Sequence, residues 1–455
     1  MASRADQMAM NLDLSKFGQA TELKNRLWFT LGALVIFRFL SFVPLPGVDP
    51  VAMNQLYSQT ASGGILDLFN TFSGGSLERM SIIALGVMPY ITASIVVQLA
   101  AALSPTLAAL KKEGESGRKK LNQYTRYGTV LLTTIQGYFI ATSLEAQSAQ
   151  NAIQAVLDPG LTFQISAIIS LIGGTLFLMW LGEQITSRGI GNGVSLIIMA
   201  GIVASMPRTL AQLFEQGRTG AMNGVLIVAL LVGLFAVIWF ISFMERAQRR
   251  VLVQYPKRAT AQGMAQQERS HLPLKVNTAG VIPPIFASSL LLMPLTITQA
   301  LGQRVDENTA WGSTLLTLNQ WFAHGKLPYM SLYALGILFF AFFYVAVVFN
   351  PEETADNLKR QGGFIPGYRP GTATSDYLDF VLTRITVIGA AYLAVVCLIP
   401  EWVTASTGVG LALGGTSLLI LVNVTIDTVS QMQGHLMAHQ YADLIKKAKL
   451  KGRMR

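Results

Sequence analysis

The chain has 455 residues, of which 51% are hydrophobic and only 13% charged, with a formal net charge of +10. An average soluble domain carries about 25% charged residues, and a water-soluble chain of this length would divide into two or three domains joined by polar linkers. Long apolar runs recur instead from Leu27 to Ile426, so most of the chain belongs in lipid. The single cysteine, Cys397, excludes a disulfide framework and a thiolate metal site, and His271, His324, His435 and His439 are too scattered to favour a histidine one.

A bilayer core of about 30 Å takes roughly 20 apolar residues per helix. The first such run, 27–43, follows a largely polar stretch and is not followed by a small-residue cleavage pattern, which predicts a retained span and not a signal peptide. Next comes SGGILDLFNTFSGGSLERM (62–80), where an apolar stretch from Ile65 to Phe72 sits between glycine pairs. It is too short to cross and too greasy for a surface loop, which leaves two readings: a re-entrant piece folded among the helices or an interfacial amphipathic turn.

Further runs predict spans at about 80–102, 125–143, 161–182, 190–206, 221–243, 278–299, 329–349, 381–400 and 408–426, ten in all with the first. Arg38 and Arg384 interrupt the first and ninth near enough to an end to snorkel or to pair inside a bundle. Backbone groups in lipid must be satisfied within the segment, so runs of this length predict an all-α, polytopic helical bundle.

Orientation follows from the basic residues. The N-terminus, alternate loops and the C-terminus hold 27 of the 34 Lys and Arg, whereas the opposite side holds Arg79, Arg208, Arg218, Arg304 and Lys326. The positive-inside rule then places both termini in the cytoplasm. The basic loops KKEGESGRKK (111–120) and MERAQRRVLVQYPKR (244–258) and the tail KKAKLKGRMR (446–455) fit attraction to anionic membrane lipid and equally fit docking of a cytoplasmic partner. In the two loops the charges alternate with Gly, Pro and aromatics, which lipid attraction alone does not require.

Searches for chemistry return little. There is no phosphate-binding loop of the G-x-x-x-x-G-K-[ST] type, and RGIGNG (188–193) lacks the strand and spacing of a dinucleotide fold. HExxH, G-x-S-x-G and an intramembrane carboxylate pair are missing from the sequence, which argues against an intramembrane enzyme. A secondary transporter of small solutes, the alternative from another class, holds polar or ionisable groups near mid-membrane; Glu183 and Asp427 fall at the cytoplasmic ends of their predicted helices.

FNTFSGG (69–75), ALGVMPYITASIVVQL (84–99), KKEGESGRKK, MWLGEQITSRGIGNG (179–193), HLPLKVNTAGVIPPIFASS (271–289), FNPEETADNLKRQGGFIPGYRPG (349–371) and LGGTSLLI (413–420) closely resemble segments of the SecY family, in family order. The resemblance runs from about residue 20 to the last span. It implies a protein-conducting channel of the general secretory pathway, without catalytic residues, metal or cofactor of its own. Two inverted five-helix halves, 21–206 and 207–440, would surround an hourglass pore, between an N-terminal tail (1–20) and a basic tail (441–455). The family's constriction ring falls on Val87, Ile91, Val194, Ile198, Ile285 and Ile420, with Val at two positions where Ile is common. Val87 and Ile91 are four apart, as are Val194 and Ile198, so each pair shares a helix face. Without the resemblance each would read as an ordinary aliphatic side chain.

The plug of the family matches 62–75, with Ile65, Leu66, Leu68, Phe69, Asn70 and Phe72, and with Gly63, Gly64, Gly74 and Gly75 as hinges. Its lateral gate implies Ser94, Gln98, Asn277, Ser288 and Ser289 as seam groups; ordinary interhelical hydrogen bonding is the competing reading. The cytoplasmic loops 244–277 and 350–380 resemble its docking surface, which implies Lys257, Arg258, Arg369, Arg249 and Arg250 as contacts for the SecA motor and for ribosomal RNA. Companion subunits SecE and SecG, signal peptides and nascent chains complete the implied partners, in the bacterial plasma (inner) membrane.

Overall fold

The computed structural model describes residues 21–60, 70–150, 153–220, 223–255, 259–260, 263–264, 269–302, 317, 326–407 and 414–452. In chain order the helices are α1 (Thr21–Leu40), α2 (Pro50–Thr60), α3 (Met88–Leu103), α4 (Pro105–Lys112), α5 (Glu115–Gln150), α6 (Leu161–Arg188), α7 (Gly193–Arg218) and α8 (Gly224–Arg246). Strands β1 (Gln248–Gln254), β2 (Ala259–Thr260), β3 (Gly263–Met264) and β4 (Arg269–Lys275) follow, then α9 (Ile282–Gly302), α10 (Leu327–Val348), α11 (Pro351–Arg360), α12 (Thr372–Thr407) and α13 (Gly415–Gly452).

Among the described residues, five helical stretches are long and apolar enough to cross a membrane: Leu161–Arg188, Gly193–Arg218, Gly224–Arg246, Leu327–Arg360 and Thr372–Val403. Met88–Leu103 and Ile282–Leu291 are shorter apolar helices. Local chemistry sets the ends. Asn350 caps α11 by accepting from the backbone of Glu352 at 3.1 Å and of Glu353 at 3.4 Å. Pro351, the acidic first turn and the basic last turn of α11 then match the missing donor and the helix dipole.

Three stretches depart from their hydropathy. Helix α3 begins at Met88, eight residues later than the apolar run suggests, because Met80 and Gly86 take positive φ values of 44° and 57°. Leu45 N donates to Met80 O at 2.9 Å and Ile82 N to Val43 O at 3.0 Å, and 82–87 then runs through turns closed by Ala84 N to Ser81 O and Gly86 N to Ile83 O. Its apolar residues are buried in protein, and hydropathy cannot tell that from burial in lipid. The loop 244–277 is not all helix and coil either: β1 pairs antiparallel with β4, from Gln248↔Lys275 to Gln254↔Arg269, and β2 pairs with β3. Finally, α12 begins at Thr372, so Arg384 lies about 18 Å along it, at 1.5 Å per residue, and covers the Phe380 ring at 4.0 Å.

The chain forms two compact units. One contains the described residues up to Ser94, Asn122–Leu210 and those from Ile420 onward; the other contains Ile95–Leu121 and Ala211–Leu419. The last helix belongs to the first unit from Ile420 onward. There Leu436 packs with Leu23 and Ile190, and Gln431 Oε1 accepts from Gly191 N at 2.9 Å. In the second unit α9 packs on α10, and α10 and α11 on α12. Phe286 meets Phe340 edge-on at 5.8 Å, and Tyr333 and Thr416 share a buried hydroxyl–hydroxyl bond of 2.6 Å.

Candidate functional site

Five of the six expected ring positions fall in the first unit and Ile285 in the second. Ile91 N donates to Val87 O at 3.0 Å, one helical turn at the start of α3, and both side chains are buried. Val194 and Ile198 are one turn apart on α7; Ile198 is buried and Val194 half-buried beside Gly182. Ile420 and Ile285 are buried.

Of the expected plug, Ile65, Leu66, Leu68 and Phe69, with Gly63 and Gly64, lie outside the described residues. Asn70 Oδ1 accepts from Glu78 N at 3.0 Å, and Asn70 O accepts from Gly75 N at 2.8 Å. Phe72 is buried. A Cβ at Gly201 would lie 2.7 Å from Phe72 O, and one at Gly74, where φ is +70°, 3.0 Å from Gly201 Cα. Only glycine fits on both sides of that approach. Arg38 Nη1 donates to Gly74 O at 2.7 Å, and buried Glu78 pairs with Arg208 of α7. These contacts pack 70–81 inside the unit.

Among the seam candidates, Ser94 and Gln98 are half-buried on α3, and Ser289 is buried on α9. Ser288 Oγ donates to Ile285 O of its own helix at 3.0 Å. Asn277 is committed within its own unit: its Nδ2 donates to Glu245 Oε1 at 2.6 Å and to Gly280 O at 3.2 Å, while its Oδ1 accepts from Gly280 N at 3.1 Å. Glu183, at the end of α6, pairs with Arg126 of α5 at 2.6 Å.

The structure brings two of the basic loops together. Arg249 and Arg250 are exposed on β1, and Arg369 is exposed just before α12; Lys257 and Arg258 lie outside the described residues. Gln254 and Phe364 exchange backbone hydrogen bonds, both 2.9 Å, which ties the hairpin to the loop carrying Arg369. Tyr368 stacks on Tyr377 with ring centroids 4.2 Å apart, and Thr374 Oγ1 donates to Arg369 O at 2.8 Å. Underneath, Val251, Val253, Leu274, Leu358, Ile365, Leu378, Val381 and Ile385 form one apolar core. The arginines therefore stand on a packed base, and fixed cations of this kind attract phosphate or acidic surfaces.

The sequence reading missed Glu245, Phe364 and Tyr392. Glu245 ends an apolar run within a loop that reads as basic; its carboxylate between Met244 and Arg246 is the signal that marks it.

A family model described as SecY matches residues 81–429. The protein translocase subunit SecY of Vibrio cholerae serotype O1 is 52% identical over 432 residues, covering 95% of this chain and 96% of the relative. The chain belongs to the SecY family. Among solved structures, one described as a protein conducting channel aligns with a TM-score of 0.64 at 16% identity, covering 91% of this chain and 92% of the other. Sec61 in the canine ribosome–channel complex aligns with a TM-score of 0.62 at 16% identity, with the same coverage. These likenesses establish the SecY/Sec61 fold, that of a mostly helical, multi-pass membrane protein.

Proposed function

We propose that the chain is the channel-forming subunit of a protein translocase, passing unfolded secretory polypeptides across the membrane and releasing apolar segments sideways into it. The observation that carries this reading is kinship to translocase subunits over nearly the whole length of the chain. Ten spans in two inverted halves would surround the pore, with both termini in the cytoplasm of a bacterium and the chain in its inner membrane. Val87, Ile91, Val194, Ile198, Ile285 and Ile420 would form the constriction. Aliphatic groups offer an ion nothing in exchange for its hydration, and they make no directional bonds that would select among passing sequences. A solute transporter would place coordinating polar groups there instead.

The segment 62–75 is the proposed plug, and the positive φ values of Gly74 and Gly75 suit a hinge. The seam for membrane clients would run along α3 and α9, with Ser94, Gln98, Ser288 and Ser289 as weak polar groups that a signal sequence parts. Work comes from outside the chain: ATP hydrolysis by SecA, or elongation by a ribosome, either docked on Arg249, Arg250, Lys257, Arg258 and Arg369. The exposed positions of Arg249, Arg250 and Arg369 support that assignment. SecE and SecG are the proposed companions. Reconstitution with these companions and SecA should protect a secretory precursor from external protease in an ATP-dependent manner; a precursor that stays fully digestible while the motor is active would overturn the reading.

A further inference from the structure

The basic hairpin and the first turn of α9 share one root. Beyond the Gln248↔Lys275 pair the ladder continues, with Val276 N donating to Ala247 O at 3.0 Å. The next rung is made by side chains, Asn277 Nδ2 to Glu245 Oε1 at 2.6 Å. Glu245 is 6% exposed and Asn277 4%. Tyr392 of α12 donates its hydroxyl to the same oxygen at a long 3.5 Å, and the Asn277 amide also closes the turn to Gly280. A carboxylate this buried persists where donors replace its water, and losing them is costly. Helix α12 presses on the root as well, since a Cβ at Gly389 would lie 2.6 Å from Val276 O.

The hairpin, α11 and the first turns of α12 therefore form one packed block, joined to α9 through the Asn277–Gly280 turn. We propose that Glu245 is a positioning residue that couples docking of a partner on the hairpin to displacement of α9. The inference rests on the docking and seam roles proposed above. While Glu245 grips Asn277, a load on the hairpin is delivered to the base of α9. Without that grip the two meet through a short turn containing Gly280 at φ +65°, and the load is absorbed there. Asn277 thus acts at the root of the seam helix and not as a seam bond.

The test uses the reconstituted translocase with its companion subunits and compares Glu245→Ala, Glu245→Gln and Asn277→Ala with the unmodified protein. Motor affinity and motor-driven precursor translocation are measured side by side. Glu245→Ala should bind the motor within about 2-fold of normal yet translocate on the order of 10-fold more slowly, inside the roughly 5- to 150-fold range of coupling effects. Glu245→Gln, whose amide oxygen still accepts from Asn277, should recover most of the rate. Asn277→Ala should reproduce the uncoupling and carries the test if Glu245→Ala does not accumulate. Normal translocation by both alanine variants would overturn the coupling, as would binding and translocation falling in parallel. An unmodified translocase that fails to bind the motor would overturn the docking reading, and the coupling with it.

Discussion

Gly173 and Gly174 are neighbours in α6 with opposite surroundings, and they give a paired test of how the helix meets the segment before α3. A Cβ at Gly173 meets nothing within 4 Å, whereas one at Gly174 would lie 2.2 Å from the carbonyl oxygen of Ile82 and 2.9 Å from its carbon. A comfortable carbon–oxygen contact is about 3.3 Å, so Gly174→Ala must push 81–87 back by about 1 Å. That segment has little room to yield, because Ile83 and Leu85 are 1% and 2% exposed and Gly86 holds a positive φ. Overpacking costs about 1–3 kcal/mol, against a helix-propensity gain of up to about 1 kcal/mol for Ala over Gly. Gly173→Ala keeps the gain without the clash; Gly174→Ala should lose up to about 2 kcal/mol net. Thermal unfolding of the purified protein in detergent, at one scan rate because such unfolding is under kinetic control, should rank Gly173→Ala above the unmodified protein and Gly174→Ala below it. Gly174→Ala unfolding at or above the unmodified protein would refute the close approach.

Removing Arg208 leaves Glu78, whose side chain is 4% exposed, without its ion-pair partner. Arg208→Ala should cost about 1–3 kcal/mol, and the double variant with Glu78→Gln should cost less than the sum; strict additivity in a double-mutant cycle would show the pair to be uncoupled. Tyr333→Phe deletes a buried 2.6 Å bond to Thr416 and should lower stability by about 1 kcal/mol in the same thermal assay; no change would mean the hydroxyls are satisfied elsewhere. Arg369→Glu should depress motor-driven translocation while the protein still inserts, and undiminished translocation would count against docking at that loop. Serine at Ile91 or Ile420 should raise ion conductance across planar bilayers, since a hydroxyl lowers the barrier to a hydrated ion; unaltered conductance would remove the gasket from the mechanism.

The membrane character and the positions of the apolar helices are readable from the chain because lipid imposes a simple rule on it, about 20 apolar residues between charges, and the family is readable from the loop motifs. What escaped depends on contacts between distant residues. Ser81–Val87 is as apolar as a span, yet Gly174, some ninety positions later, lies against its backbone and lets it run as a series of turns packed in protein. The alternation of buried Val251 and Val253 on β1 is a two-residue period too short to stand out from a basic loop. Its partner, Arg269–Lys275, is separated from it by a stretch without such a pattern. The family resemblance singles out Asn277 as a seam group, but its partner is not legible in the sequence: Glu245 lies 32 positions away, and nothing local to either residue specifies the other.

The rung between Gln254 and Phe364 consists of peptide groups alone. Short of proline, no replacement at either position deletes a donor or an acceptor from it. Outward-facing side chains beside it, Arg249, Arg250 and Arg369 among them, can therefore be exchanged one at a time without unmaking the scaffold that displays them, so the charges proposed for docking are separable from the fold that carries them.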